Sequence, residues 1–348
     1  MARATLIDIA RKAGVSRTTV SYVLNNKADA RISPETRERI LQAKMELDYQ
    51  PNLVARSLRT RCTQTIGVMV GNMIVKNFML AVAGIQKAAF RHHYHVLLAD
   101  TQGRNESYIE HIKLLSQKNV DGLIIITATR YIDSKLPEFL AQLSIPTVFV
   151  NRPYSEEGTP LPVPTVYVDF EKAMYDAVQY LIGLGHKAIG FAGANMQNLS
   201  VKIRRDGYVK AMSQAELAID PGWMVAEPEG LSTYAFGMKS APKLIGKGVT
   251  AIVTVNDEVA AGVMHYAQQQ GIKVPGQLSV IGHDNLDTVK YIQPRLTTVQ
   301  HPSQEAGVMA FEMLLELMGD PEWKSKAEKA LALYSTVLIR DSTDAPPA

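Results

Sequence analysis

From Thr65 onward the chain repeats one unit: a short apolar run, a turn, and a helix-length stretch with one apolar face. "TIGVMV", "YHVLLA" and "DGLIII" read as strands, because they are short, rich in β-branched residues and bounded by polar ones. Helical stretches from Phe78 to Arg91 and from Glu106 to Lys118 separate them. Strands that alternate with helices pair in parallel, since each helix carries the chain back across the sheet. The rhythm restarts after "TPLPVPT", residues 159–165, with "TVYVD", "AIGFAG", "TAIVTV" and "LSVIG" as the next strands. Two similar α/β halves are expected, joined near residue 163. A chain of 348 residues exceeds what one core usually supports, which agrees with several units.

The first fifty residues follow a different rhythm. Leu6, Ile9, Ala10 and Ala13 recur at helical spacing behind a possible cap at Thr5, and Gly14 ends the segment. A second helix starts at Ser16 and buries Val20, Val23 and Leu24, which leaves Arg17, Thr18, Ser21 and Tyr22 outward. A third is announced by "SPET", with Ser33 as cap and Pro34 in the first turn, and its apolar side includes Ile40, Ala43 and Leu47. Two short helices joined by a Gly-containing turn, with a third behind them, form a helix-turn-helix. In that arrangement the start of the second helix enters the major groove. There Arg17 can offer two donors to guanine, Thr18 can touch a base edge and Tyr22 can reach a base or phosphate. Thr5, Ser16, Thr19 and Asn25 suit phosphates, which set position rather than sequence preference. The same Ser and Thr would also cap a small helical domain with no DNA role, and the charge distribution argues against that.

The net charge of +3 is uneven. Residues 1–62 hold 12 Lys and Arg against 6 Asp and Glu, leaving 25 against 28 for the rest. A basic end on a slightly acidic body is the footprint of a protein whose N-terminal module alone meets a polyanion. No apolar run reaches the roughly 18 residues that span a bilayer, and the N-terminus is charged where a secretory signal is apolar. The single cysteine, Cys62, has no partner for an internal disulfide. A cytoplasmic location and no membrane partner are therefore expected.

Between the two regions lies "YQPNLVARSLRT", a proline-started segment that sets Leu53, Val54 and Leu58 among arginines. Gly- and Ser-rich linkers look different. Together with "TLIDIARKAGVSRTTVSYVLNN" it resembles the headpiece and hinge of the LacI/GalR family of bacterial transcription regulators, and the resemblance runs through almost the whole chain. It implies an all-α headpiece at 1–49, a hinge helix at 50–62, and a two-lobed body like that of periplasmic binding proteins, crossed three times by the chain. On that reading the N-terminal lobe is 63–163 plus 295–320 and the C-terminal lobe is 164–294 plus 321–340. Residues 341–348 are expected to be a disordered tail. The later crossings are placed near Tyr291 to Leu296 and within 320–332. The hinge would be helical only on DNA, with Asn52 as its cap, since so short a helix does not persist alone in water. Ala55 and Val54 would pack across a dimer, Arg56 would meet phosphate, and Leu58 would wedge between base steps, the lever role the family gives the matching leucine.

Ligands of open α/β sheets bind beyond the carboxyl ends of the strands. Asn77, Phe78, Asn151, Asn256, Asp257 and Asp284 fall there, and Arg204 matches a ligand-contacting arginine of the family. Each also has a structural reading: Asp284 can cap a following turn, and Asn256 or Asp257 can cap the helix that begins beside them. Two positions depart from the family's common pattern, Asn77 where an aromatic is frequent and His283 where an aromatic precedes the aspartate. A sugar or sugar derivative leads as effector class, with a nucleobase or an anionic metabolite held by Arg204 as the alternative, acting as corepressor.

"RHHYH" places His92, His93 and His95 on different sides of a helix-to-strand junction, without a carboxylate or Cys cluster to complete a metal site. Phosphate loops, a nucleophile elbow and helical His–Glu pairs at zinc spacing are missing from the sequence. The reading is therefore a repressor rather than an enzyme. Its expected partners are a near-palindromic duplex operator, a second or tetrameric set of copies of itself, and a small effector, with no cofactor. A plain solute-binding protein would lack the basic headpiece, and a sugar-metabolising enzyme would need a catalytic set.

Overall fold

The computed structural model describes residues 4–24, 32–49, 62–102, 108–117, 120–127, 130–131, 135–155, 158–195, 199–227, 233–326 and 328–347. The chain divides into two compact units, Met1–Thr63 and Gln64–Ala348.

The first unit is the three-helix headpiece. Helix α1 (Leu6–Ala13) starts with a capping box: the Asp8 amide donates to Thr5 Oγ1, and the Asp8 carboxylate accepts from the Thr5 amide at 2.9 Å. It ends at Gly14, whose φ of 66° is the left-handed value that glycine adopts without strain. Helix α2 (Arg17–Leu24) is capped by Ser16, whose Oγ accepts from the Thr19 amide at 3.1 Å. Helix α3 (Pro34–Glu46) is capped by Ser33 and has Pro34 in its first turn. Ile9, Val20, Val23, Ile40 and Ala43 meet in one core, each large side chain contributing about 1.5–3 kcal/mol through burial.

The second unit contains two sheets. Its elements in chain order are β1 (Thr65–Val70), α4 (Lys76–Arg91), β2 (His95–Asp100), α5 (Tyr108–Gln117), β3 (Gly122–Ile126), β4 (Arg130–Tyr131), α6 (Lys135–Gln142), β5 (Thr147–Val150), β6 (Pro153–Tyr154) and β7 (Thr165–Val168). There follow α7 (Phe170–Gly183), β8 (Ile189–Asn195), α8 (Leu199–Gln214), β9 (Met224–Glu227), α9 (Tyr234–Ile245), β10 (Ala251–Thr254), α10 (Asp257–Gln269), β11 (Ser279–His283), β12 (Thr297–Gln300), α11 (Ser303–Met318), β13 (Ala330–Leu333) and β14 (Thr336–Leu338). One sheet has the order β13-β7-β5-β3-β1-β2, all parallel; the other has β14-β12-β11-β10-β8-β9, with only β14 antiparallel. Central strands such as β3 are buried throughout, as expected for parallel sheets covered on both faces.

The lobe boundaries differ from the sequence expectation at each crossing. β7 pairs with β5, Phe149 opposite Thr165, so the chain leaves the first lobe at residues 169–170 and not near 163. The prolines mark the loop that enters β7, and Val166 and Val168 are then buried in a strand paired between β5 and β13. β12 pairs with β11 in the second sheet, so residues 297–300 do not belong with the first lobe, and the second crossing falls at 301–302. β13 pairs with β7 and β14 with β12, which splits the segment 321–340 between the lobes and puts the third crossing at 334–335.

The tail expectation is also corrected. Arg295 holds Asp341 at 2.7 Å, and Ser342 is fully buried, donating to the Val280 carbonyl and accepting from the Thr297 amide. The Asp344 carbonyl accepts from His186. These bonds seal the open edge of the second core. In the first lobe α4 and α11 pack backbone to backbone at Gly84 and Gly307: a Cβ on Gly84 would meet the Gln304 carbonyl, and one on Gly307 the Ala81 carbonyl. The Met-rich end of α11 is packing, with Met313, Leu314 and Leu317 in the core.

Candidate ligand cleft and candidate nucleic-acid interface

The strand ends of both sheets face a cleft of about 300 Å³ between the lobes. Asn77 and Phe78 enter it from the start of α4, Asn151 from the end of β5, Arg204 from α8, Asn256 from the turn before α10, and Asp284 from the end of β11. Those six expected residues are brought together. Asp257, the seventh, is not among the lining groups. It lies beneath the cleft, where it accepts from Thr298 Oγ1 at 2.5 Å and from the Leu286 amide at 2.7 Å. The strand-end position that flagged it places it one residue past Asn256, in the first turn of α10, and its fully buried carboxylate accepts from the loop after β11. Asn256 does both things: it lines the cleft and caps α10 by accepting from the Val259 amide.

The loop after β11 is a built structure. Asp284 and Asn285 have φ values of 102° and 49°, a left-handed pair that costs energy and persists only when its surroundings impose it. The Asp284 amide donates to the Val299 carbonyl, the Leu286 amide to Asp257, and Arg340 reaches Asn285 Oδ1 at 2.6 Å. Asn151 is likewise left-handed, at 68°, with its side-chain amide on the Thr127 carbonyl at 2.8 Å. At the cleft rim Lys76 of the first lobe reaches the Asn285 carbonyl and Asp287 of the second, both at 3.3 Å.

Arg204 and Asp284 set the electrostatics. Burial lowers the Arg204 pKa, opposed by the Asp284 carboxylate, and burial raises that of Asp284, opposed first by Arg204 and then by the Asn77 amide at 2.8 Å. The two charges nearly cancel. The guanidinium lies 4.1 Å from the Phe170 ring centre and donates to the Ser200 carbonyl, while its Nε and Asn77 Oδ1 have no hydrogen-bond partner among the described residues. A donor and an acceptor are thus left for a ligand, in a cleft whose apolar lining includes Val75, Phe78, Val150 and Phe170.

Sequence reasoning missed Asn72, Phe170, Ser200, His301 and Ser303 on the lining. His283 was noticed only as a departure; it is fully buried, both ring nitrogens lack partners among the described residues, and burial holds its pKa well below the ordinary value. Phe170 and His301 stand at lobe crossings, whose positions no local pattern discloses.

On the headpiece, Arg17, Thr18 and Tyr22 are exposed along α2, Thr19 and Ser21 are half-buried, and Ser16 and Thr5 are exposed caps. Asn25, Asn52, Ala55, Arg56 and Leu58 lie outside the described residues.

A helix-turn-helix unit followed by two α/β lobes around a polar cleft is the plan of a ligand-responsive DNA-binding regulator. Residues 5–52 match the family model "Bacterial regulatory proteins, lacI family", and residues 63–335 match "Periplasmic binding proteins and sugar binding domain of LacI family". The chain is 35% identical over 343 residues, 97% of its length and 98% of the relative's, to the HTH-type transcriptional repressor PurR of Vibrio parahaemolyticus. It resembles the solved lac repressor dimer bound to operator and the anti-inducer ONPF, with a TM-score of 0.82 and 26% identity over 99% and 100% of the two chains. The transcriptional regulator CelR in complex with cellobiose gives a TM-score of 0.68 and 25% identity over 98% and 100%. The chain belongs to the LacI family of bacterial regulatory proteins, and it is a DNA-binding transcription regulator with an effector-binding body.

Proposed function

We propose that the protein is a homodimeric repressor that reads a near-palindromic operator through α2 and is controlled by a neutral polar metabolite, a sugar or sugar derivative, held between the lobes. One headpiece spans only a few base pairs, so two are needed for a specific site. The observation that carries the effector class is the Arg204–Asp284 pair with the unpartnered Arg204 Nε and Asn77 Oδ1 beside it. Adjacent hydroxyls supply both a donor and an acceptor, and the balanced charge leaves no surplus cation to favour an anion. CelR, a relative by structure, is described with a disaccharide. A nucleobase, with its donor and acceptor edge and its flat face for Phe78, is the second reading.

Arg17, Thr18 and Tyr22 are assigned to base edges, Thr5, Ser16, Thr19, Ser21 and Asn25 to phosphates and their surroundings, and Asn52, Ala55, Arg56 and Leu58 to the minor groove. Effector that prefers one lobe arrangement shifts the spacing of the two headpieces, and the coupling runs both ways by linkage. The cleft is read as a binding site and not a catalytic one, and the protein as cytoplasmic; no helix among the described residues is long and apolar enough to cross a membrane.

A thermal-shift panel of sugars, sugar phosphates and nucleobases against the full chain tests the effector class. A neutral sugar should raise the melting temperature of the body, and the shift should vanish in Arg204→Ala. Stabilisation by sugar phosphates or nucleobases alone would overturn the sugar reading.

A further inference from the structure

The three lobe crossings converge on one side chain. His301 begins the second crossing, immediately after β12, and its side chain is 1% exposed. Its Nδ1 is 2.8 Å from Ser335 Oγ, on the third crossing between β13 and β14. Its ring meets the edge of Phe170, on the first crossing, with centroids 5.1 Å apart at 86°. The remaining nitrogen, Nε2, faces Asp284 Oδ1 at 3.5 Å across the cleft floor and has no hydrogen-bond partner among the described residues.

The proton positions follow from chemistry. Burial and the nearby Arg204 push the His301 pKa down to about 3, so the ring is neutral and carries one N–H. A carboxylate only accepts, so the arrangement without repulsion has the Ser335 hydroxyl donating to Nδ1 and the Nε2–H aimed at Asp284. Arg204, Asp284 and His283, whose ring centre is 5.7 Å away, are the charged and titratable groups around it. A ligand that moves Asp284, or that takes the Nε2–H itself, must therefore change what His301 does to Ser335 and Phe170.

We propose that His301 is the positioning residue that ties the cleft floor to all three crossings, so that occupancy of the cleft is transmitted to the segments on which lobe disposition turns. The proposal rests on the reading of the cleft as the effector site, but its test needs no effector. Asp284→Asn stands in for a change at the cleft floor, and hydrogen exchange of the amides of residues 334–336 in the full chain reads the third crossing. In the otherwise unchanged protein Asp284→Asn should speed that exchange roughly threefold to tenfold, the range expected of coupling between neighbouring groups. In a His301→Phe background, which keeps the ring against Phe170 and removes both nitrogens, the same substitution should leave it unchanged. His301→Gln should restore part of the response.

Ser335→Ala supplies the same break without touching the ring, so the test survives if His301→Phe does not fold, and thermal melts of each variant separate lost stability from lost coupling. An equal response to Asp284→Asn in every background, or none at 334–336 in the first, would overturn the proposal. A blank ligand panel would instead remove the effector reading and leave this coupling standing.

Discussion

Asp257→Asn gives a stability change whose sign and pH window can both be worked out. Asp257 is fully buried at the start of α10, and burial pushes its pKa from 3.8 up to about 7, against the lowering effects of the Thr298 hydroxyl and the Leu286 amide. In the unfolded chain the same carboxyl ionises near 3.8. Between those values the folded state binds a proton that the unfolded state has released, so unfolding becomes easier as pH rises. The slope is about 1.4 kcal/mol per pH unit, roughly 4 kcal/mol over the whole interval. The stabilising contribution is complete below pH 3.8 and gone above about 7.

Asparagine resembles the protonated acid: its oxygen can accept from Leu286, and its NH2 can donate to Thr298 Oγ1. The variant should exceed the parent by roughly 1.5–2 kcal/mol at pH 5 and by roughly 4 kcal/mol at pH 7.5, so the advantage grows by about 2–3 kcal/mol over that range. His186, His283 and His301 have folded pKa values lowered by burial, so they bind protons on unfolding and give the opposite slope. The parent's profile is a sum of these, and only the difference between the two proteins isolates Asp257. The chain has 2 tryptophans, Trp223 and Trp323, both in the body, so urea unfolding followed by their fluorescence reports the correct unit. A difference that stays constant from pH 5 to 7.5 would refute the assignment. Asp257→Ala should be worse at every pH, since it strands the Leu286 amide at about 1–3 kcal/mol and loosens the loop that presents Asp284.

Arg17→Ala should relax preference at one operator position by roughly 1–3 kcal/mol in binding measured on a substituted operator set, whereas an equal loss on all sequences would mean that Arg17 contacts phosphate. Leu58→Ala should keep dimerisation and effector binding but lose most specific affinity; circularisation assays showing an operator bent as strongly as before would sink the wedge role. Gly84→Ala should cost about 1–3 kcal/mol in the same tryptophan-monitored unfolding, because the added methyl meets the Gln304 backbone and forces α4 and α11 apart. A neutral result there would mean that the two helices can slide.

Legibility in the sequence followed the distance over which each feature is decided. The headpiece was readable because Thr5, Gly14, Ser16, Ser33 and Pro34 act within one helical turn of where they sit. The strands were readable as apolar runs, and six of the seven expected effector residues reached the cleft because strand ends fix where side chains can go. What failed was every feature decided by a partner far along the chain. β7 looks the same from sequence whether it joins β5 or begins a new sheet, and the tail owes its order to His186, Ser279, Val280 and Thr297.

His301 is the sharpest instance of this limit. "VQHPS" contains a histidine before a proline and nothing more. Its meaning comes from three crossings, at 169–170, 301–302 and 334–335, that only the two completed sheets bring together. A two-lobed sensor needs its cleft to be felt at the crossings, since those are the segments shared by both lobes, and a buried neutral imidazole with one nitrogen on the third crossing and the other facing the cleft floor meets the requirement. The same reasoning explains why Asp284 is held in a left-handed backbone from several directions. A carboxylate that wandered would report its own motion, and not the presence of a ligand.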